Sequence, residues 1–180
     1  QNIATLKERG VSLFGPAQGI QACGETGEGR MLEPDELVHQ CISLFSHNSL
    51  TAKKVIITAG PTVEPIDPVR FISNRSSGKM GYSIADAAME AGAHVTVISG
   101  PTHLPENERI HYIHVETAQQ MYAATMQHIK DADLFIAAAA VADYQPVNVA
   151  DNKIKKGSPT LSIQLSRTPD ILKEVKLSLP

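Results

Sequence analysis

The segment from Ile57 to Gly81, ITAGPTVEPIDPVRFISNRSSGKMG, carries several side chains suited to binding an anion. It joins a predicted strand to a predicted helix, where a dinucleotide-binding turn needs only about six residues. Ser76, Gly78 and the free backbone N–H groups before the helix predict an anion cradle. Arg70 offers a guanidinium fork for a carboxylate or phosphate, and Asn74 can donate and accept hydrogen bonds without ionising. Glycines alone would indicate only a tight turn, but the whole string favours a binding site for a phosphorylated carboxylate.

A second candidate is the segment AAAAVADYQP, Ala137–Pro146, at the end of a predicted strand. The small side chains of Ala137, Ala138 and Ala139 let the backbone approach a flat ligand. Asp143, just beyond the strand, can bond a ribose hydroxyl or help to hold Mg²⁺. The alternative is that the alanines allow close helix packing and that Asp143 caps a helix, and this segment alone does not decide between the two.

A third candidate is the lysine run NKIKKG, residues 152–157. Lys153 and Lys156 lie beside a glycine on a predicted loop, where ammonium groups can close over a triphosphate as pyrophosphate leaves. A charge run by itself is more typical of a solvated surface.

The fourth candidate is Cys23, in the glycine-rich string QACGETGEGRM. A loop cysteine can protonate or attack a substrate, and Arg30 nearby can lower its pKa. By chemistry alone, a structural cysteine is the simpler interpretation. Cys41, on the apolar face of the next predicted helix, is interpreted as structural only.

Hydrophobic patterning predicts the elements that position these residues. A β-branched run at Lys54–Thr58 predicts a buried strand, and helical spacing of apolar residues predicts a helix after the long loop. Alternating strands and helices indicate an α/β fold, a Rossmann-like doubly wound sheet with ligands at the carboxyl ends of its strands. Gly60, Gly100 and Asp143 are therefore expected near one crevice. The other predicted strands are Val95–Ser99, His111–Val115, Leu134–Ala140 (buried) and Leu161–Leu165, and the predicted helices are Gly81–Ala91, Ala118–Lys130 and Asp170–Lys176.

The first 45 residues have a different pattern and predict a separate part of the chain. Residues 1–9 indicate a helix ended by Gly10, and residues 46–52 are polar and aperiodic, as in a linker. We therefore predict domain boundaries at 1–45, 46–52 and 53–180. Within the first part, the predictions are a strand at Val11–Phe14, a loop at Cys23–Arg30 and a helix from Pro34 to about Ser43.

Composition narrows the function classes. A net charge of −3 argues against duplex nucleic acid as a partner, and no apolar run is long enough for a membrane span. Two cysteines and scattered histidines indicate neither a disulfide framework nor a zinc site. We expect a cytoplasmic protein. The first residue, Gln1, and the end at Pro180 just after a predicted helix begins also suggest a piece of a longer polypeptide.

Taken together, ACGETGEGRM, TAGPTVEPIDPVRFISNRSSGKMG, AAAAVADY and KIKK resemble the bifunctional phosphopantothenoylcysteine synthetase/decarboxylase family of coenzyme A biosynthesis. The resemblance implies that residues 1–45 are the C-terminal tail of the FMN-dependent decarboxylase, a flavoprotein α/β domain. Residues 53–180 would be the N-terminal part of the synthetase. Cys23 would donate a proton in the decarboxylase, whose flavin-binding segments would lie upstream of Gln1.

For the synthetase, the resemblance implies that 4'-phosphopantothenate attacks the α-phosphate of CTP in the presence of Mg²⁺. The resulting acyl-cytidylate would react with the amine of free cysteine and release CMP. Asn74 would hold the acyl-cytidylate, Lys153 would contact phosphates, and Arg70 would contact substrate across the interface of a homo-oligomer. The expected catalytic residues are Cys23, Asn74 and Lys153, and the expected nucleotide contacts are Gly60, Ser76, Gly78, Ala137, Ala138, Ala139, Asp143, Lys153 and Lys156.

Two alternatives come from other function classes. The first is an NAD(P)-binding dehydrogenase-type domain, but the second predicted strand ends in Ser99-Gly100-Pro101, where such a domain places an acidic residue for the ribose. The second is a non-catalytic α/β binding module.

Overall fold

The computed structural model describes residues 2–20, 24–45, 49–155, 157 and 160–178. Contacts divide the chain into two compact units, Gln1–Ser46 and His47–Pro180. In the part of the chain that is described, no helix is both long and apolar enough to cross a membrane.

The first unit contains a β-hairpin between two helices. The predicted strand at Val11–Phe14 is wrong, and so is the predicted loop at Cys23–Arg30, because residues 17–20 pair antiparallel with residues 26–30. The ladder satisfies the backbone hydrogen bonds of a glycine-rich segment that has low strand propensity. The elements are α1 (Asn2–Glu8), β1 (Ala17–Ile20), β2 (Thr26–Arg30) and α2 (Pro34–Phe45).

The first unit buries little of its apolar surface. None of its residues whose burial is described falls in the buried class, and Cys41 is exposed. In the described part of this unit the Cys41 side chain is therefore not covered, and its interpretation as a structural cysteine stays a prediction. The predicted helix ends are close to those observed: Gly10 follows α1 with a positive φ of 76°, and α2 runs two residues past Ser43.

The second unit is built on a parallel four-stranded sheet. Its strands are β3 (Lys54–Ala59), β6 (His94–Ser99), β7 (His111–His114) and β8 (Leu134–Ala137), in the order β7-β6-β3-β8. Strand β3 pairs with both β6 and β8, so that Ile57 lies opposite Val97 and Ile136. This central position explains the continuous apolar run, because both faces of β3 are covered.

Helices cover both faces of the sheet, which confirms the doubly wound α/β prediction. Val55 and Ile57 of β3 pack in one core cluster with residues of α3 (Lys79–Glu90). Ile56 faces the other way, towards Met121 and Ile171, which belong to two helices on the opposite face. Helix α4 spans Ala118–His128 and is followed by a 3₁₀ turn at Ile129–Asp131, and α5 spans Ile171–Ser178.

Two short antiparallel hairpins lie outside the parallel sheet. The first, β4 (Val63–Pro65) with β5 (Phe71–Ser73), is formed by the long segment between β3 and α3. The second pairs β9 (Tyr144–Pro146) with β10 (Leu165–Arg167). The strand predicted at Leu161–Leu165 instead spans Leu165–Arg167, because these are the residues that pair with β9.

Strand β8 is shorter and more exposed than predicted. It ends at Ala137 rather than Ala140, although Ala140 still forms an isolated bridge with Pro61. Leu134 is 42% exposed because β8 is an edge strand of the described sheet. The carboxyl ends of β3 and β8 lie side by side, and the site residues follow those ends.

Candidate functional site

Glycines bring three backbone segments together at the carboxyl end of the sheet. Gly60 and Gly78 have φ values of 74° and 76°, which favour glycine. A methyl group on Gly78 would lie 3.3 Å from the Cα atom of Gly60, and one on Gly60 would lie 3.0 Å from the carbonyl oxygen of Gly100. These glycines are therefore required for close backbone packing, whether or not they also contact a ligand.

The anion cradle is predicted at the N-terminus of α3, where two serine hydroxyls accept from backbone N–H groups. The N–H of Gly78 donates to the Ser76 hydroxyl at 3.3 Å, and the N–H of Lys79 donates to the Ser77 hydroxyl at 3.5 Å. Both bonds are long, so an anion can compete for these donors. The structure thus places Ser76 and Gly78 together beside Gly60.

Asn74 links the loop before α3 to the segment after β8. Its side-chain Nδ2 donates to the carbonyl oxygen of Val141 at 2.9 Å and to that of Ala140 at 3.4 Å. The side-chain NH₂ group of Asn74 therefore contacts two successive backbone carbonyl oxygens. Asn74 therefore holds the backbone that leads to Asp143, a role that the sequence did not indicate.

Two threonines that were not predicted hold the same segment. The N–H of Ala142 donates to the buried hydroxyl oxygen of Thr62 at 2.9 Å. The hydroxyl of Thr168 donates to the carbonyl oxygen of Ala142 at 2.6 Å, and the N–H of Thr168 donates to that of Asp143 at 3.0 Å. Thr62 follows β3 closely in the chain and Thr168 follows β10, and this placement at strand ends was the available signal.

A cavity of about 530 Å³ opens beside this segment. Ala137, Ala139 and Asp143 line it, as expected for a ligand at the strand ends. Ala138 instead packs in the core on the α3 side, because successive residues of a strand face opposite ways. The remaining lining residues are Thr58, Val141, Tyr144, Arg167, Thr168, Pro169, Asp170, Ile171 and Leu172.

The cavity has charges of both signs. Arg167 supplies a cation that sequence reasoning missed, and Asp143 and Asp170 supply two carboxylates. Mg²⁺ in nucleotide sites is commonly bound by one or two carboxylates together with substrate phosphates. Asp143 and Asp170 are carboxylates of this type, and Oδ1 of Asp170 also accepts from the N–H of Lys173 at 3.1 Å. No group of three or more metal-binding His, Cys, Asp or Glu side chains occurs in the described chain.

Asp67 is a buried carboxylate at the turn of the β4–β5 hairpin, and the sequence analysis did not single it out. Its side chain is fully buried and lies 3.4 Å from the guanidinium of Arg70 (Oδ2 to Nε). Oδ1 accepts from the N–H groups of Val69 and Arg70 at 2.8 and 3.0 Å, and Oδ2 accepts from the N–H of Ile154 at 3.0 Å. Burial opposes ionisation, but the three backbone donors and the guanidinium outweigh it, so the pKa of Asp67 lies below its ordinary value of 3.8.

Arg70 and Lys153 are not among the residues that line the cavity. Arg70 is partly exposed, with its guanidinium against Asp67. Lys153 is exposed on the loop that Asp67 contacts and forms no ion pair with any residue in the described ranges. Cys23 and Lys156 lie outside the described residues, so their predicted roles stay predictions.

Comparison with known proteins identifies the family. The family model described as "DNA/pantothenate metabolism flavoprotein C-terminal domain" matches residues 50–179. The chain belongs to this family. The match confirms the resemblance inferred from the motifs and covers the whole parallel sheet and its hairpins.

The relatives of this flavoprotein C-terminal domain are similar over nearly all of the chain. A coenzyme A biosynthesis bifunctional protein CoaBC from Vibrio vulnificus is 51% identical over 177 residues, which cover 97% of this chain and 44% of that protein. A cysteine/cysteine sulfinic acid decarboxylase from an unknown prokaryotic organism is 46% identical over 181 residues, 97% of this chain and 50% of that protein. The chain thus spans about half the length of these relatives or less.

A solved structure supports the fold assignment. The C-terminal domain of a coenzyme A biosynthesis bifunctional protein CoaBC is 48% identical, with a TM-score of 0.63, over 71% of this chain and 60% of that one. The flavoprotein C-terminal domain therefore has the Rossmann-like sheet on which the cavity is built.

Proposed function

We propose that this protein takes part in coenzyme A biosynthesis as a CTP-dependent ligase that joins 4'-phosphopantothenate to cysteine. The observation that carries the proposal is the cavity at the carboxyl ends of the parallel strands, lined by Ala137, Ala139 and Asp143. The high identity to a bifunctional protein named for coenzyme A biosynthesis supports it. The chain spans 44% of that relative's length, so the relative's activity is a proposal for this chain.

The cavity suits a nucleotide. Small alanine side chains leave room for a flat base, and Asp143 offers acceptors for ribose hydroxyls. Arg167 and the N–H groups before α3 can neutralise phosphate charge. The specificity for CTP rests on the resemblance of the motifs alone.

In the proposed reaction, the carboxylate of 4'-phosphopantothenate attacks the α-phosphate of CTP, and the bond to pyrophosphate breaks. The amine of cysteine then attacks the acyl carbon, and CMP leaves with the bonding electrons. Lys153 stabilises the negative charge on the phosphates, and Asn74 fixes the backbone against which the acyl-cytidylate lies. When bound, Mg²⁺ would neutralise phosphate charge, with Asp143 and Asp170 as its protein ligands.

The decarboxylase activity is a second part of the proposal. By resemblance, Cys23 donates a proton to an intermediate of 4'-phosphopantetheine formation, and FMN is held by residues upstream of Gln1. The relative named as a decarboxylase agrees with such chemistry in a chain of this family. We also propose that the protein is cytoplasmic. We propose further that it forms a homo-oligomer, since the β4–β5 hairpin exposes the apolar side chains of Val69 and Phe71 at 57% and 59%.

A nucleotide titration separates this proposal from its alternatives. We expect calorimetry on the full chain to give heat with CTP and none with NADPH, and pyrophosphate release to require both CTP and 4'-phosphopantothenate. Binding of NADPH alone would support the dehydrogenase-type alternative. Heat with neither nucleotide would support a non-catalytic module. The hydroxyl of Ser99, at the end of β6, already bonds the carbonyl oxygen of Gly100, which is unlike an acidic ribose contact.

A further inference from the structure

Asp67 joins the turn that carries Arg70 to the loop that carries Lys153. One carboxylate oxygen, Oδ1, closes the turn by accepting from the backbone of Val69 and Arg70. The other, Oδ2, accepts from the N–H of Ile154, which is 87 residues away in sequence and directly follows Lys153. The two oxygens of one buried side chain therefore fix two distant segments.

A second bond fastens the same loop to the same turn. The N–H of Ala150 donates to the carbonyl oxygen of Ile66 at 3.0 Å. The stretch from Ala150 to Ile154 is thus held at both ends, while the Lys153 side chain remains exposed between them. A loop that is fixed before the ligand binds loses less conformational entropy on binding.

We propose that Asp67 is a positioning residue that holds Lys153 and Arg70 in a fixed arrangement for the anionic groups of the bound ligand. The proposal rests on the ligase function proposed above and extends it. An exposed carboxylate in this place would repel phosphates. The charge of Asp67 is instead offset locally, because the guanidinium of Arg70 lies 3.4 Å from Oδ2 and backbone N–H groups donate to both oxygens.

The substitution Asp67→Asn tests this role with little change in shape. The amide oxygen of Asn can still accept from the turn, but its NH₂ group would face the N–H of Ile154, donor against donor. We expect the affinity for CTP to fall about tenfold or more, as for the loss of charge-assisted phosphate contacts. The affinity for CMP, which lacks the β- and γ-phosphates, should change less than about twofold. Asp67→Glu, which keeps the carboxylate, should recover part of the CTP affinity.

Asp133 provides a matched control. Its Oδ2 accepts from the N–H of Lys54 at 2.9 Å and its Oδ1 pairs with Lys53 Nζ at 2.9 Å, so it makes the same kinds of contact. It lies at the amino ends of β3 and β8, away from the cavity. Asp133→Asn should leave the affinities for CTP and CMP unchanged.

The outcomes separate the two proposals. If wild-type protein binds CTP but Asp67→Asn lowers the affinities for CTP and CMP equally, or changes neither, the positioning role is wrong and the ligase proposal stands. If wild-type protein does not bind CTP, the ligase proposal fails, and the positioning role fails with it.

Hydrogen exchange on the wild-type chain gives a second measurement that does not depend on the variant folding. The Ile154 amide should exchange at least about tenfold more slowly than the amides of Lys153 and Lys155, because among these three amides the described bond to Asp67 is made by Ile154. Equal exchange at these three amides would show that the loop is not held, and would overturn the inference.

Discussion

The side-chain nitrogen of Asn74 lies 2.9 Å from the carbonyl oxygen of Val141, 67 residues further along the chain. This bond joins the loop before α3 to the segment after β8. Thr62 joins the loop after β3 to the same segment through Ala142. The wall of the cavity is thus held by polar side chains that do not face the cavity themselves.

Substitution of Asn74 tests this link. Asn74→Asp replaces two donor hydrogens with a carboxylate that faces the carbonyl oxygens of Ala140 and Val141. We expect cysteine-amide formation to fall at least about tenfold while the protein stays folded, with the free energy of unfolding lower by about 1 kcal/mol. Steady-state assays and urea unfolding measure the two effects.

Asn107 is the control for that substitution. Its Nδ2 donates to Asp86 Oδ1 at 2.9 Å, in the loop before β7. Asn107→Asp should destabilise the fold through repulsion between two carboxylates and leave kcat/KM unchanged for the folded protein. Wild-type turnover in Asn74→Asp would remove Asn74 from the proposed mechanism.

Thr62 gives a prediction for stability. Thr62→Val keeps the shape but removes the acceptor for the N–H of Ala142, at a position with 0% exposure. A buried donor without a partner costs about 1–3 kcal/mol, so the free energy of unfolding should fall by this amount. CTP affinity should fall as well, since Ala142 leads directly to Asp143.

Thr125→Val is the matched control for Thr62→Val. Thr125 is equally buried, but its hydroxyl donates to the carbonyl oxygen of Met121 in the preceding turn of α4. That carbonyl belongs to the helix ladder, so the loss should cost less than about 1 kcal/mol. Equal losses of unfolding free energy in the two variants would show that the bond from Ala142 to Thr62 does not stabilise the fold more than the bond within α4.

The sequence predicted the sheet better than it predicted the site. Strands such as β3 are specified locally by continuous β-branched residues. The rule that ligands bind at the carboxyl ends of parallel strands predicted that Ala137 and Asp143 lie at the site, and both line the cavity. The pairing of β9 with β10 and the bond from Asp67 to Ile154 depend on residues far apart in sequence, which leave no periodic signal. Arg167 was missed because it reaches the cavity only through that pairing.

The lowered pKa of Asp67 predicts how stability depends on pH. Burial opposes the carboxylate, but the backbone donors and Arg70 outweigh it in the folded state, so the folded pKa lies below the ordinary value of 3.8. The stabilisation is fully present above the unfolded pKa and is lost as pH falls through the folded pKa. Urea unfolding at decreasing pH below about 5 should therefore show falling stability in the wild type.

Variants identify the source of that pH dependence. Asp67→Asn should reduce the loss of unfolding free energy as the pH falls. Asp133→Asn should reduce it too, because the N–H of Lys54 and the ammonium group of Lys53 lower the pKa of Asp133. The double variant should lose less than either single one. If Asp67→Asn loses as much unfolding free energy at low pH as the wild type, the lowered pKa of Asp67 is contradicted.

Gly100 is predicted to tolerate no side chain. A methyl group there would overlap the carbonyl oxygen of Pro61, a backbone atom that cannot move without shifting the bridge between Pro61 and Ala140. Gly100→Ala should lower the free energy of unfolding by at least about 2 kcal/mol, as for overpacking in a closely packed interior.

Gly157 is the control, because a methyl group added there would have no described atom within 4 Å. Gly157→Ala should change stability by less than about 0.5 kcal/mol. Equal unfolding midpoints in urea for the two variants would show that the strand ends are not packed as closely as the structure has them.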